Sequence, residues 1–385
     1  MTRLWGVLRS GGAAGREGQL GTFIGVFTPS ILTILGVILF LRTGWVVGNA
    51  GLAGAVGIVV IANAVTFATA LSVGAVATNM RVGAGGAYYI ISRSLGVEIG
   101  AAIGIPLFLA QAFSVTLYAF GLAESLQLIW ERVPVQPTAA VIVLLVAMLA
   151  ARGAGLALRL QLPIMAAIGL ALVALGIGVA RNVPDSVVLT AAAGGEEFWR
   201  VFAVFFPAVT GIMAGVSLSG DLARPERSIP RGSIAAVLVG FVVYLAVVIG
   251  LGVAGSPAEL LEDNLIWFTL AGGIGFLIFP GLWGAIFSSA VGSILGAPRT
   301  LQAMVDDNVL PRFLGRKLPR ITGPGVPLVF SLAVALGAVA LGGLDAVATV
   351  LTMFFLTTYG MINLVAGIEK LAGDPSFRPT LRVPW

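Results

Sequence analysis

The stretch Pro29-Ser30-Ile31-Leu32-Thr33-Ile34-Leu35-Gly36 breaks an apolar run that extends from about residue 23 to 48. A second stretch, Pro207-Ala208-Val209-Thr210-Gly211-Ile212-Met213-Ala214-Gly215, breaks another from about 201 to 219. Proline removes a helix N–H and crowds the preceding turn, and glycine loosens the backbone. Broken helices at membrane depth are tolerated where their freed N–H and C=O groups face protein or a water-filled cavity. Two such breaks, one opening each half of a chain, follow a plan used by transporters, with the site near the bilayer midplane. Proline and glycine also serve as ordinary kink and packing residues in spans, and Gly211 and Gly215 fit that reading as a GxxxG pair.

Working outward from the breaks, the 385 residues are 58% hydrophobic and 10% charged. Soluble domains carry about a quarter charged residues, so the chain reads as an all-α polytopic membrane protein. Hydropathy and loop punctuation predict spans at about 23–48, 52–77, 98–130, 136–151, 156–180, 201–219, 233–255, 270–297, 327–342 and 347–369. At roughly 20 residues per crossing, these leave short loops and no room for a large soluble domain.

With the N-terminus inside, 18 of the 22 basic residues fall on cytoplasmic segments; Arg132, Arg181 and Arg200 are external, and Arg42 lies within the first span. The positive-inside rule then places both termini in the cytoplasm. The expected organisation is a cytoplasmic tail over 1–20, a transmembrane domain over 21–371 and a second tail over 372–385. The domain divides into repeat one, about 21–181, and repeat two, about 198–371. Five spans per repeat put the two in opposite orientation.

There is no His and no Cys, which excludes imidazole proton relays, thiolate nucleophiles and Cys/His zinc sites. Asp221 and Asp345 sit at span ends, so no pair of aspartates faces another inside the membrane, and an enzyme is not expected. The basic residues are scattered over loops as orientation signals, which argues against nucleic acid as a partner. Gly83, Gly85 and Gly86 imitate a phosphate loop, but no strand precedes them and no Gly-Lys-Ser follows. They read as a turn into an amphipathic piece. The run from Arg312 to Arg320 reads as an orientation signal or a lipid-headgroup contact. Glu259, Glu262 and Asp263 read as part of a solvated interfacial helix.

Four motifs occur in order: Ile34 to Arg42 running on to Gly44-Trp45-Val46-Val47-Gly48-Asn49-Ala50-Gly51; Gly85-Gly86-Ala87-Tyr88-Tyr89-Ile90-Ile91-Ser92-Arg93-Ser94-Leu95-Gly96; Phe205 to Gly215 with Ser219-Gly220-Asp221-Leu222 and Ser228-Ile229-Pro230-Arg231-Gly232; and Ser288-Ser289 with Ala297-Pro298-Arg299 and Asp307-Asn308. Together they resemble the cation-chloride cotransporter family of the amino acid-polyamine-organocation superfamily, from about Gly21 to Arg378. The resemblance implies a LeuT-like fold of 5+5 inverted repeats with discontinuous first and sixth helices. It is to the transport core only, since family members commonly carry two further spans and a large cytoplasmic domain.

The resemblance also implies sites. Sodium would lie among the carbonyls of Leu32, Leu35 and Ala285 and the hydroxyls of Ser288 and Ser289. Potassium would lie among the carbonyls of Ile34 and Pro207, the hydroxyls of Thr210 and Tyr118, and Thr33, which stands where relatives typically place Asn. Two chlorides would lie at Gly36, Val37, Ile38 and at Gly211, Ile212, Met213, the second beside Tyr359. Arg42 and Glu124 would pair as an extracellular gate. Read without the family, the serines are caps or small packing residues, Tyr118 is a packing aromatic, and Arg42 and Glu124 snorkel to the headgroups.

The expected activity is symport of chloride with sodium, and with potassium, by alternating access at a cell membrane. Lipids and small inorganic ions are the expected partners, and no cofactor is expected. The high ratio of Arg to Lys and the short core suggest a bacterial-type member. Two rivals stay open: a sodium-coupled carrier of an amino acid or other organic solute, and a membrane scaffold or sensor that keeps the fold without transport.

Overall fold

A computed structural model describes residues 20–79, 86–152, 155–182, 195–319, 321, 323–373, 378–381 and 383. Most of the first expected tail and half of the second, together with Gly83, Gly85 and Arg320, lie outside these residues.

Eight helices among the described residues are long and apolar enough to cross a membrane. They are α1 (Phe23–Leu41), α2 (Thr43–Asn79), α4 (Val97–Ile129), α6 (Gly155–Arg181, apolar from Arg159), α7 (Phe198–Asp221), α8 (Pro225–Ala254), α9 (Ile266–Asp306) and α11 (Leu344–Ala372). Two shorter apolar helices, α5 (Val135–Ala150) and α10 (Gly325–Val339), bring the set to the ten spans read from hydropathy. The amphipathic α3 (Gly86–Leu95) follows α2. No β-strand occurs among the described residues, only an isolated bridge between Leu20 and Leu222 that ties the start of α1 to the end of α7. The chain is a multi-pass membrane protein.

Several boundaries differ from the sequence reading by more than a turn: α8 begins at Pro225 rather than near 233, α9 ends at Asp306 rather than near 297, and the first span ends early. The first span was expected to run to about 48, with a loop before 52. Instead α1 ends at Leu41, Arg42 leaves helical geometry at φ −125°, and α2 starts at Thr43. The residues near 50 form a kink inside α2, where Gly51 takes φ 68° and ψ 169°. That conformation is essentially closed to residues with a Cβ, so glycine supplies the bend that apolar composition concealed.

Two packing groups arise. In one, α2 lies along α8, and the first part of α1 contacts both α8 and the end of α7. In the other, α9 is flanked by α4 and α6, while α5 and α10 cover α4. Close approach is set by small residues: a Cβ on Gly211 would come within 2.7 Å of Ser30 O and Ile34 N, and one on Gly215 within 2.6 Å of Ser30 Oγ. The GxxxG pair thus does serve helix packing, seating α7 on α1. Leu144, Leu145, Met148, Leu170, Val173, Val242 and Leu364 remain exposed on the outer faces, as side chains facing lipid do.

Candidate functional site

The first break lies where it was expected. Helix Thr28–Ile34 stops at Leu35 (ψ 41°), Gly36 is extended, and helix resumes over Val37–Leu41. The second is a tightening: Phe198–Phe205 passes into a 3-10 turn at Phe206–Val209, Thr210 leaves helical geometry, and helix resumes over Ile212–Val216. Both breaks sit in the buried interior and face each other, because Gly211 packs directly on Ile34.

Carbonyls at and beside the breaks accept hydrogen bonds from hydroxyls. Tyr244 Oη donates to the Ile34 carbonyl at 2.7 Å and Tyr359 Oη to the Thr210 carbonyl at 2.8 Å. Thr210 Oγ1 donates to the Pro207 carbonyl at 2.9 Å, Thr33 Oγ1 to Pro29 at 2.9 Å and Ser289 Oγ to Leu32 at 3.4 Å. Gly36 faces the same place: a Cβ there would lie 3.5 Å from the Tyr118 ring and 3.6 Å from Ser289 Oγ.

Between the breaks lies a cavity of about 30 Å³ lined by Thr33, Tyr118, Thr210, Gly211 and Met213, with Gln111, Ser114, Ser217, Ser293 and Phe355 among its other walls. A second, of about 40 Å³, runs on from Thr33 and Ser217 past Ser288 and Gln161 to Arg299. Of the expected ion-site residues, Leu32, Ile34, Leu35, Gly36, Val37, Ile38, Pro207, Ile212, Ala285, Ser289 and Tyr359 are buried but line neither cavity. Val37 packs against Gly121, which has no room for a Cβ.

Arg42 and Glu124 do pair, at 2.8 Å, and a third member joins them: Arg42 Nε donates to Asp345 at 2.6 Å. Arg42 is only 6% exposed. Beneath it Phe40 makes a tilted ring contact with Trp267, whose indole N–H donates to Thr43 Oγ1. This end of the path is shut. At the opposite end Arg299 donates to the Ser217 carbonyl and lies 3.6 Å from Asp221, both of these groups being partly open to solvent. Nearby Asp307 accepts from Tyr88 at 2.9 Å and Arg93 at 2.7 Å, fixing α3 to the end of α9. Burial, and then this bond, pushes the Tyr88 phenol upward.

Sequence reading missed Asp345, Tyr244 and Gln111. Asp345 is 303 residues from Arg42, and only its position at the start of the tenth span hinted at the contact. Tyr244 is one of five tyrosines in the chain, and a phenol inside an apolar span was the available signal. The acidic group after Ser256 turns out to serve local capping: Ser256 and Glu259 form a capping box, and Asp263 accepts from Leu265 N and Thr269.

Two facing helix breaks thus flank a small polar cavity in a multi-pass membrane chain, with a buried charge cluster at one end. The chain belongs to the amino acid permease family, which it matches over residues 25–383. It is similar to mouse solute carrier family 12 member 2 (30% identity over 94% of this chain and 35% of the relative). It is likewise similar to cation-chloride cotransporter 1 of Arabidopsis thaliana (29%, 94% and 42%) and to human solute carrier family 12 member 1 (30%, 94% and 39%). The chain thus spans between about a third and two fifths of the length of these relatives.

Proposed function

We propose that the chain is a secondary active symporter that moves chloride with sodium, and with potassium, across a cell membrane. The observation that carries this reading is the size and chemistry of the central cavity. It is walled by hydroxyls and by residues of the two breaks and measures about 30 Å³. A water needs some 10–15 Å³ on this measure, so the space suits one or two ion-sized guests and is too small for an amino acid. The relative named cation-chloride cotransporter 1 supports the same choice over the organic-solute rival.

In this reading sodium takes Ser288, Ser289 and the carbonyls of Leu32, Leu35 and Ala285. Potassium takes Tyr118, Thr210, Thr33 and the carbonyls of Ile34 and Pro207. Chloride takes the backbone at Gly36-Val37-Ile38 and Gly211-Ile212-Met213, the latter beside Tyr359. The hydroxyl bonds to Leu32 and Pro207 suit cation entry: a hydroxyl that turns its hydrogen away offers its own oxygen together with the carbonyl it leaves. The Arg42 end faces outward and the Arg299 end faces the cytoplasm, following the distribution of basic residues.

The test is uptake of a potassium tracer into proteoliposomes. It should require both sodium and chloride and should fall at least about tenfold in Ser289→Ala, the cost of about 1.4 kcal/mol of lost ligation. Uptake indifferent to chloride would count against the proposal, and uptake of an amino acid would promote the rival.

A further inference from the structure

Gln161, on α6, is 5% exposed, and its Oε1 has no hydrogen-bond partner. Buried polar groups are nearly always paired, so an unmatched amide oxygen on a cavity wall asks for a ligand. The cavity is the one of about 40 Å³ that also reaches Ser288, Thr33, Ser217 and Arg299.

Other polar groups around it are committed. Thr33 Oγ1 donates to Pro29, and Ser217 Oγ donates to Met213 while accepting from Gln111. Arg299 donates to the Ser217 carbonyl and faces Asp221, so its charge is directed at a carboxylate. The buried side-chain atom of this wall that makes no hydrogen bond is Gln161 Oε1, and it shares the cavity with Ser288. Hard cations are bound by oxygen ligands of this kind, whereas an anion would find an oxygen lone pair repulsive.

We propose that Gln161 Oε1 is a relay ligand for sodium, receiving the ion as it leaves Ser288 and Ser289 for the Arg299 mouth. The proposal rests on the sodium reading above. It makes Gln161 a residue that sets how sodium is released and rebound on one face of the membrane.

The experiment measures tracer sodium exchange in proteoliposomes containing the full chain, with sodium varied separately at each face. Gln161→Leu should raise the half-saturating sodium at the Arg299 face by about tenfold, the effect of losing about 1.4 kcal/mol, and leave the Arg42 face within about twofold. Gln161→Asn, which keeps the amide oxygen, should recover most of the loss, and Gln161→Met serves in place of the leucine variant if that one does not assemble. A shift of equal size at both faces, as a general packing defect gives, would overturn the relay, and so would no shift at either. If wild type exchanges sodium and Ser289→Ala does not, while Gln161→Leu behaves as wild type, the relay alone falls. If wild type exchanges no sodium, the sodium reading falls with it.

Discussion

Arg42 sits in a place where a lone charge would be costly, and it persists because two carboxylates reach it from α4 and α11. The two are not equivalent: the Glu124 side chain is 17% exposed and that of Asp345 is 46% exposed. Removing one partner of a buried ion pair costs about 3–5 kcal/mol, and exposed pairs contribute about 1 kcal/mol or less. Arg42→Met, which leaves two facing carboxylates, should therefore lower thermal stability in detergent most, Glu124→Gln less and Asp345→Asn least. Equal losses for the two acid variants would show that burial does not rank this cluster. At Glu259, hydrogen bonds from the Ser256 hydroxyl and N–H hold the carboxylate below its usual range. Its folded pKa being lowered, the capping contribution is present above the unfolded value and is lost as pH falls through the lowered one. The difference in melting temperature between wild type and Glu259→Ala should accordingly shrink on acidification, as a melt series from neutral to acid pH would record.

At the scale of helices, the bend in α2 depends on Gly51. Gly51→Ala should cost about 1–3 kcal/mol, the strain of a Cβ in this region. Gly57→Ala lies on the same helix with open space around it and should be neutral or slightly stabilising, since alanine exceeds glycine in helix propensity by about 1 kcal/mol. Thermal melts of the two variants check the contrast. This bend also shows where sequence reading runs out. The breaks at Leu35-Gly36 and Thr210-Gly211 were legible because proline, glycine and hydroxyl residues interrupt otherwise apolar runs. The end of α1 at Leu41 was not, because Arg42 is a single charge between two apolar stretches and averages out over a window of span length. Among site residues, Arg42 and Glu124 could be paired from their depth in the spans. Asp345 and Tyr244 could not be assigned, because their contacts join helices more than 200 residues apart and periodicity carries no information on which helices meet.

On the scale of the molecule, α1, α2, α7 and α8 form one packing group and α4, α5, α6, α9 and α10 another, and the breaks lie where the groups meet. The Arg42 end is closed by charge and by the Phe40–Trp267 ring contact, while the cavity chain leads to Arg299 at the other end. The absence of native cysteine makes this asymmetry measurable. Leu295→Cys, on the wall of the second cavity, should react with an impermeant thiol reagent applied from the Arg299 face. Val37→Cys, 1% exposed beneath the Arg42 cluster, should stay unlabelled from the opposite face until the chain turns over.

The central claim is that the oxygen-lined space between the two breaks carries inorganic ions together. Tracer chloride uptake into proteoliposomes under an imposed inward sodium gradient tests it most directly. Chloride should accumulate above equilibrium only when sodium is present, and Thr210→Ala or Ser289→Ala should abolish the accumulation. Chloride uptake that ignores the sodium gradient, or is unchanged in both variants, would contradict the account.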